Sequence, residues 1–168
     1  IQRNYKVGAG FLSTPFLLQV LAENGYVDTA YKMLENTQAP GWLAMVDQGA
    51  TTVWEEYECY DENGSPLPHS FNHYSPGAMC GFLFDTVCGI RVTGENELTL
   101  SPMPGGTLTW AKAKILTAYG PVESRWEKRN GFVQYTFNIP ANVTAKVILP
   151  YGSSQILMAG EHQFLGEE

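Results

Sequence analysis

"GFVQYTFNIP", residues Gly131–Pro140, alternates between two kinds of side chain. Phe132, Gln134, Thr136 and Asn138 stand against Val133, Tyr135, Phe137 and Ile139. A period of two belongs to a strand with one buried face. Asn130-Gly131 before it and Pro140-Ala141-Asn142 after it are turn signals. Similar segments surround it: "ELTLSP", "LTWAKAKILTAYG", "PVESRWEK" and "VTAKVILPYG", separated by Pro-Gly-Gly, Tyr-Gly-Pro and Gly-Ser-Ser. Short strands at this spacing predict an antiparallel β-sandwich over residues 95–168. Trp110 and Trp126 fit strand positions and are expected in its core. No pattern singles out a carbohydrate-binding face on it.

Upstream, over residues 1–94, the period changes to that of helices. In "LSTPFLLQVLAENGY", Thr14 suits an N-cap, Pro15 a first helical position and Gly25 a stop. Phe16, Leu17, Val20 and Leu21 form the predicted apolar stripe. Asp28 is expected to cap a second helix, "TAYKMLENT", ended by Pro40-Gly41. Ser75-Pro76 repeats the cap-proline signal before "GAMCGFLFDTVCGI", read as a third helix, apolar nearly all round and buried on more than one side. The fold class is therefore α+β. Three helices cannot close a helical barrel, and each needs a partner for its apolar stripe. The first part thus reads as the end of a larger α domain.

Composition narrows the function classes. The 168 residues are 44% apolar and 16% charged, which suits a packed globular core. A net charge of −7 argues against a nucleic-acid partner. No apolar run approaches the roughly 18–20 residues of a membrane span. The start, "IQRNYKVGAG", lacks a basic stretch followed by an apolar one, so no signal peptide is expected, and it reads as the middle of something longer. Cys59, Cys80 and Cys88 form neither a disulfide framework nor a zinc motif. Cys80 and Cys88 read as small buried hydrophobes. His69, His73 and His162 show no ligand spacing, so neither metal nor cofactor is expected.

Three stretches could carry chemistry. "GATTVWEEYE", Gly49–Glu58, sets three carboxylates beside two aromatics. If extended, Val53, Glu55 and Tyr57 share one face, and Trp54, Glu56 and Glu58 the other. Glu55 could then face a cleft as a general base, with aromatic neighbours of the kind sugar rings stack on. An acidic loop in water fits the same residues. "HSFNHYSPG" offers Asn72, His73 and Tyr74 at a helix start, either towards a cleft or as turn and cap residues. Trp42, after Pro40-Gly41 in a stretch read as a loop, is a stacking platform or an anchor on the core, and Phe11 raises the same choice.

Taken in order, "GAGFLSTPFLLQVLAENGYVDTAYKML", "GATTVWEEYE", "SFNHYSPGAM", "PMPGGTLTWAKA" and "TAYGPVESRW" resemble the C-terminal part of bacterial α-L-rhamnosidases, glycoside hydrolase family 78. The resemblance covers nearly the whole chain, and "GATTVWE", "SFNHY" and "GGTLTWAKA" are its most specific parts. It implies the last helices of an (α/α)6 catalytic barrel, here incomplete, followed by a C-terminal β-sandwich. It implies hydrolysis of terminal α-L-rhamnosyl groups with inversion, on a rhamnose-containing oligosaccharide or glycoside. Glu55 matches the family's general base, His73 a sugar contact, and Trp54 and Trp42 aromatic positions near the pocket. Family members often carry Arg and Trp after the base. Glu56 and Tyr57 stand there in this chain, a departure that bears on substrate preference. The loop "CYDENGSPLPH" is expected at the pocket rim.

Inversion needs two carboxyl groups about 6.5–9.5 Å apart. The family's general acid lies upstream of the matched part, so the 168-residue chain alone is expected to be inactive, and its exposed helices to seek cover from the missing N-terminal part or by self-association. Another inverting glycosidase on the same barrel, or a non-catalytic carbohydrate-binding or structural module, remains an alternative.

Overall fold

The computed structural model describes residues 3–150, 152 and 154–167. The Gly152–Ser154 turn signal thus lies partly outside the described residues. Contacts within the chain separate two compact units, Ile1–Phe82 and Leu83–Glu168.

The first unit opens with α1, Thr14–Glu23, and α2, Val27–Leu34, packed on each other. Ser13, not Thr14, is the N-cap of α1, and no side chain caps it. Thr14 is the first helical residue, and its hydroxyl is directed back to the carbonyls of Ala9 and Gly10 (3.1 and 3.0 Å). The buried line on α1 is Thr14, Leu18 and Ala22, at i, i+4 spacing. Phe16 and Val20, expected inside, are 63% and 52% exposed. The apolar residues of α1 outnumber the positions its neighbours cover, so the sequence stripe does not decide which edge is buried. Tyr26 caps α2, and Asp28 sits in its first turn, where a carboxylate complements the helix dipole.

The stretch read as a loop around Trp42 holds a short helix, α3, Trp42–Asp47, with Gly41 as an extended N-cap. A six-residue helix is too short to show a period. The apolar run after Ser75-Pro76 is also not one helix. It breaks into α4, Tyr74–Gly77, capped by His73, then α5, Cys80–Phe82, then a π-helical turn over Leu83–Val87. Gly77 ends the first piece and Gly81 sits inside the second, and each lowers helix propensity along the run. Cys80 is exposed, contrary to expectation, while Cys59 and Cys88 are buried.

The second unit is built from strands. Among the described residues, β1 (Ile90–Val92), β2 (Glu97–Leu100), β6 (Thr144–Val147) and β7 (Gln155–Leu157) make one sheet in the order β1-β2-β6-β7. The second sheet, β3-β4-β5-β8, comprises β3 (Trp110–Thr117), β4 (Gly120–Arg129), β5 (Phe132–Ile139) and β8 (Gly160–Glu167). The strands pair antiparallel except β2 with β6, which run parallel. The β5 alternation is realised: Val133, Tyr135, Phe137 and Ile139 are buried with Val122 and Trp126 of β4. Leu98, Leu100, Ala145 and Val147 supply the buried side of the other sheet. Trp110 departs from expectation. It has the outward parity of β3 and is 60% exposed.

Two buried side-chain bonds tie β4 to the segment before β1. Trp126 Nε1 donates to Val87 O (2.7 Å) and Ser124 Oγ to Cys88 O (2.6 Å). Gly89 follows with φ +70°, and a Cβ there would lie 2.0 Å from Pro102 N. Gly89→Ala should therefore lower the unfolding free energy by about 3 kcal/mol or more, read from urea denaturation, because strained φ and overpacking act together. A loss under about 1 kcal/mol would show that the close approach is not kept in solution.

Candidate functional site

The Glu55 stretch is placed by a fold-back. Asp61 makes the turn: its Oδ1 accepts from Asn63 N (2.9 Å) and Ser65 N (2.8 Å), and Gly64 takes φ +77°. Tyr60 bridges to Pro66, and Leu67 N donates to Cys59 O (2.9 Å). The turn returns the chain so that residues 70–73 run beside 52–55. Glu55 N donates to Ser70 O (2.8 Å), His73 N to Val53 O (2.8 Å), and Thr52 Oγ1 to Phe71 O.

This pairing aims the carboxylate. Glu55 Oε2 accepts from Ser70 N at 2.8 Å, so backbone and side chain of Glu55 are both held by one residue. Oε1 takes part in no hydrogen bond among the described residues. Glu55 is half-buried, whereas Glu56 and Glu58 are exposed. The expected alternation fails at Trp54, which is buried while Glu56 and Glu58 are not, because the chain bends over Glu55–Tyr57. Glu55 lines a cleft of about 220 Å3 with Phe11, Thr14, Glu56, Tyr57 and Pro76. Residues 60–69 do not line this cleft; the turn acts by returning the chain beside Glu55.

His73 caps α4: its Nδ1 accepts from Ser75 N (3.2 Å). A neutral ring accepting at Nδ1 carries its proton at Nε2, leaving that N–H to donate outward. The imidazole is stacked by Phe11 (centroids 4.7 Å, 27°) and Tyr74 (5.0 Å, 20°). Ser75 Oγ donates to Phe11 O, tying the same loop down. Phe11 therefore links the imidazole to the cleft that Glu55 lines.

The two tryptophans stand behind this surface. Trp42 is 2% exposed, donates Nε1 to Pro76 O (3.0 Å) and meets Tyr57 edge-on. Trp54 is 3% exposed, between Tyr60 and Phe71, in a cluster with Met45 and Cys59. Neither lines the cleft of Glu55; Trp42 lines a separate apolar cleft with Leu34, Leu43 and Met79. Both tryptophans fix the positions of Pro76 and of the 70–73 segment. Ser70 and Phe11 act here without a strong sequence signal. Ser70 acts through its backbone N–H, which every residue but proline has.

Tyr57 is the buried polar oddity of the cleft. Its hydroxyl has no hydrogen-bond partner among the described residues. Burial pushes the phenol up to about 12, the Thr14 hydroxyl opposes the rise, and Glu56 adds to it. In the unfolded chain the phenol ionises near 10.0, so between 10.0 and about 12 the unfolded state has lost a proton that the folded state keeps. Stability should fall as pH rises through that window. Tyr57→Phe should lessen the fall, measured as the urea midpoint at pH 9 to 11. An equal fall in the variant would assign the alkaline loss to other groups.

The comparisons bear on both units. Residues 1–87 match the family described as the bacterial alpha-L-rhamnosidase 6 hairpin glycosidase domain, and residues 92–164 the bacterial alpha-L-rhamnosidase C-terminal domain. An alpha-L-rhamnosidase of Streptomyces avermitilis is 35% identical over 153 residues, covering 88% of this chain and 15% of the relative. One from Formosa agariphila is 36% identical over 160 residues, 92% of this chain and 17% of the relative. The chain thus spans less than a fifth of the length of these curated relatives. Among solved structures, the Aspergillus terreus α-L-rhamnosidase matches with TM-score 0.93 at 34% identity, covering 98% of this chain and 20% of that one. The Streptomyces avermitilis α-L-rhamnosidase complexed with L-rhamnose matches with TM-score 0.91 at 29% identity, covering 99% and 18%.

Proposed function

The chain belongs to the bacterial α-L-rhamnosidase family, and we propose that it supplies the general base for hydrolysis of terminal α-L-rhamnosyl groups with inversion. Glu55 is that base. The observation that carries the reading is the asymmetry of its carboxylate: Ser70 N holds one oxygen at 2.8 Å, the other takes part in no hydrogen bond among the described residues, and Glu55 lines the cleft. A base for water attack needs this arrangement, with orientation set by one oxygen and proton acceptance by the other.

The substrate's anomeric carbon would lie beyond a water on Oε1. Glu55 takes the proton as the water oxygen bonds to that carbon from the face opposite the leaving group. The leaving oxygen needs a proton from a second carboxyl group on the other side. Glu56 is the next residue in the chain and lines the same cleft, so the acid is assigned to the rest of a rhamnosidase-length polypeptide, and the 168-residue chain alone does not turn over substrate. His73 donates Nε2–H to a sugar hydroxyl, its ring held by Phe11 and Tyr74. Trp42 and Trp54 hold this surface from behind. Leu12 just before α1, and Phe16 and Val20 on it, are exposed and are where further helical hairpins of the barrel would pack.

In the full-length enzyme, Glu55→Gln should lower kcat on an aryl α-L-rhamnoside by about 10²–10⁴-fold, with the fold retained by circular dichroism. Proton NMR of the parent reaction should show the β-anomer as the first-formed rhamnose. Normal turnover by the variant would remove Glu55 from the chemistry, and an α-anomer would reject inversion.

His73→Ala should act mainly on binding. KM should rise by about tenfold with a smaller change in kcat, as expected for loss of one hydrogen bond to bound sugar. An unchanged KM would leave His73 as a helix cap alone.

A further inference from the structure

We propose that the outward face of the β3-β4-β5-β8 sheet is a second, separate binding site for an uncharged carbohydrate chain, with Trp110 as its stacking platform. The face carries a cleft of about 340 Å3 lined by Arg125, Glu127, Arg129, Gln134, Thr136 and Gln163, among others. The guanidinium groups donate, the carboxylates accept, and the Gln and Thr side chains do both, so together they supply the partners a ring of hydroxyls needs.

Trp110 lies directly across from Glu127 in the register, and Gln134 faces Glu127 from the other side. Residues opposite one another in antiparallel strands share a face, with Cβ atoms about 5 Å apart. An exposed indole thus borders a polar trough. A sugar ring has this division, with an apolar C–H face and a polar rim.

The trough is organised before any ligand arrives. Arg125 Nη2 and Arg129 Nη2 both reach Glu127 Oε2, at 2.7 and 2.9 Å. Gln163 Nε2 donates to Glu161 Oε1 (3.0 Å). Ion pairs this exposed add little to folding stability. Their effect is to hold the guanidinium forks in one place, which lowers the entropy lost on binding.

Charge decides the ligand class. Lys112, Lys114, Arg125 and Arg129 on this face are balanced by Glu123, Glu127, Glu161 and Glu167. Lys112 and Lys114 are both engaged by Glu123, at 3.3 and 3.1 Å. A balanced face in a chain of net charge −7 is unsuited to a polyanion.

The site does not depend on the role of Glu55. Native affinity electrophoresis of the chain in gels containing arabinogalactan, galactomannan or xyloglucan, with polygalacturonate as the anionic control, tests it. Retardation by a neutral polysaccharide is expected, weakened about tenfold by Trp110→Ala and unchanged by Glu55→Gln. If Trp110→Ala fails to fold, titration of the unaltered chain should shift the Trp110 indole N–H resonance. No retardation by the three neutral polymers, equal retardation of a folded Trp110→Ala, retardation by polygalacturonate alone, or an unmoved indole resonance would each overturn the proposal.

Discussion

Two segments without helix or ladder, 52–55 and 70–73, are joined by backbone and side-chain bonds, and the chemistry proposed for this chain rests on that join. Val53 O, Glu55 N and the Glu55 carboxylate each have a partner in the returning segment. Such bonds cost little sequence specificity, since the donors are main-chain groups. What makes the join possible is upstream of it, in the Asp61 turn that reverses the chain and in the Trp54, Tyr60 and Phe71 rings that fill the space between its arms. The carboxylate is thus oriented by packing some distance from the cleft, a common arrangement where a site on a loop must be as rigid as one on a strand.

Much of the strand half was legible. The β5 pattern holds residue by residue, because a sheet with one buried face enforces a period of two. The first two helices were legible in place more than in detail, whereas α3 and the break-up of the third were not. Leu18 and Ala22, not Phe16 and Val20, face inward on α1, since both edges of that helix are apolar and tertiary contacts choose between them. The break at Gly77 and Gly81 was written in the sequence but outweighed by the apolar run around it.

At the candidate site, Glu55 and His73 are singled out by motif, and spacing alone leaves them open. The structure adds what spacing could not supply. Trp42 reads equally as a platform or an anchor, since a tryptophan beside glycine carries the same letters whether its ring faces water or core, and Trp54 is set near the pocket by resemblance alone; both rings are buried. Trp110 is the opposite case, expected in the core and found exposed. Trp110 and Trp126 have opposite parity relative to the core across the β3–β4 register, and the alternation of β3, which sets Trp110 with Lys112 and Lys114, carries the same signal.

The bonds from Trp126 to Val87 O and from Ser124 to Cys88 O have a consequence for modularity. The two matched family segments end at residue 87 and resume at 92, as though the chain could be parted there. A C-terminal module exchanged between proteins at residue 92 would arrive without the carbonyls that its own buried indole and hydroxyl require. Each stranded donor would cost about 1–3 kcal/mol. The physical seam lies earlier, before Leu83, and the π-helical turn travels with the strands as their first element. Recombination that respects that seam carries its acceptors along, so the boundary of sequence likeness and the boundary of structural self-sufficiency in this chain are not the same.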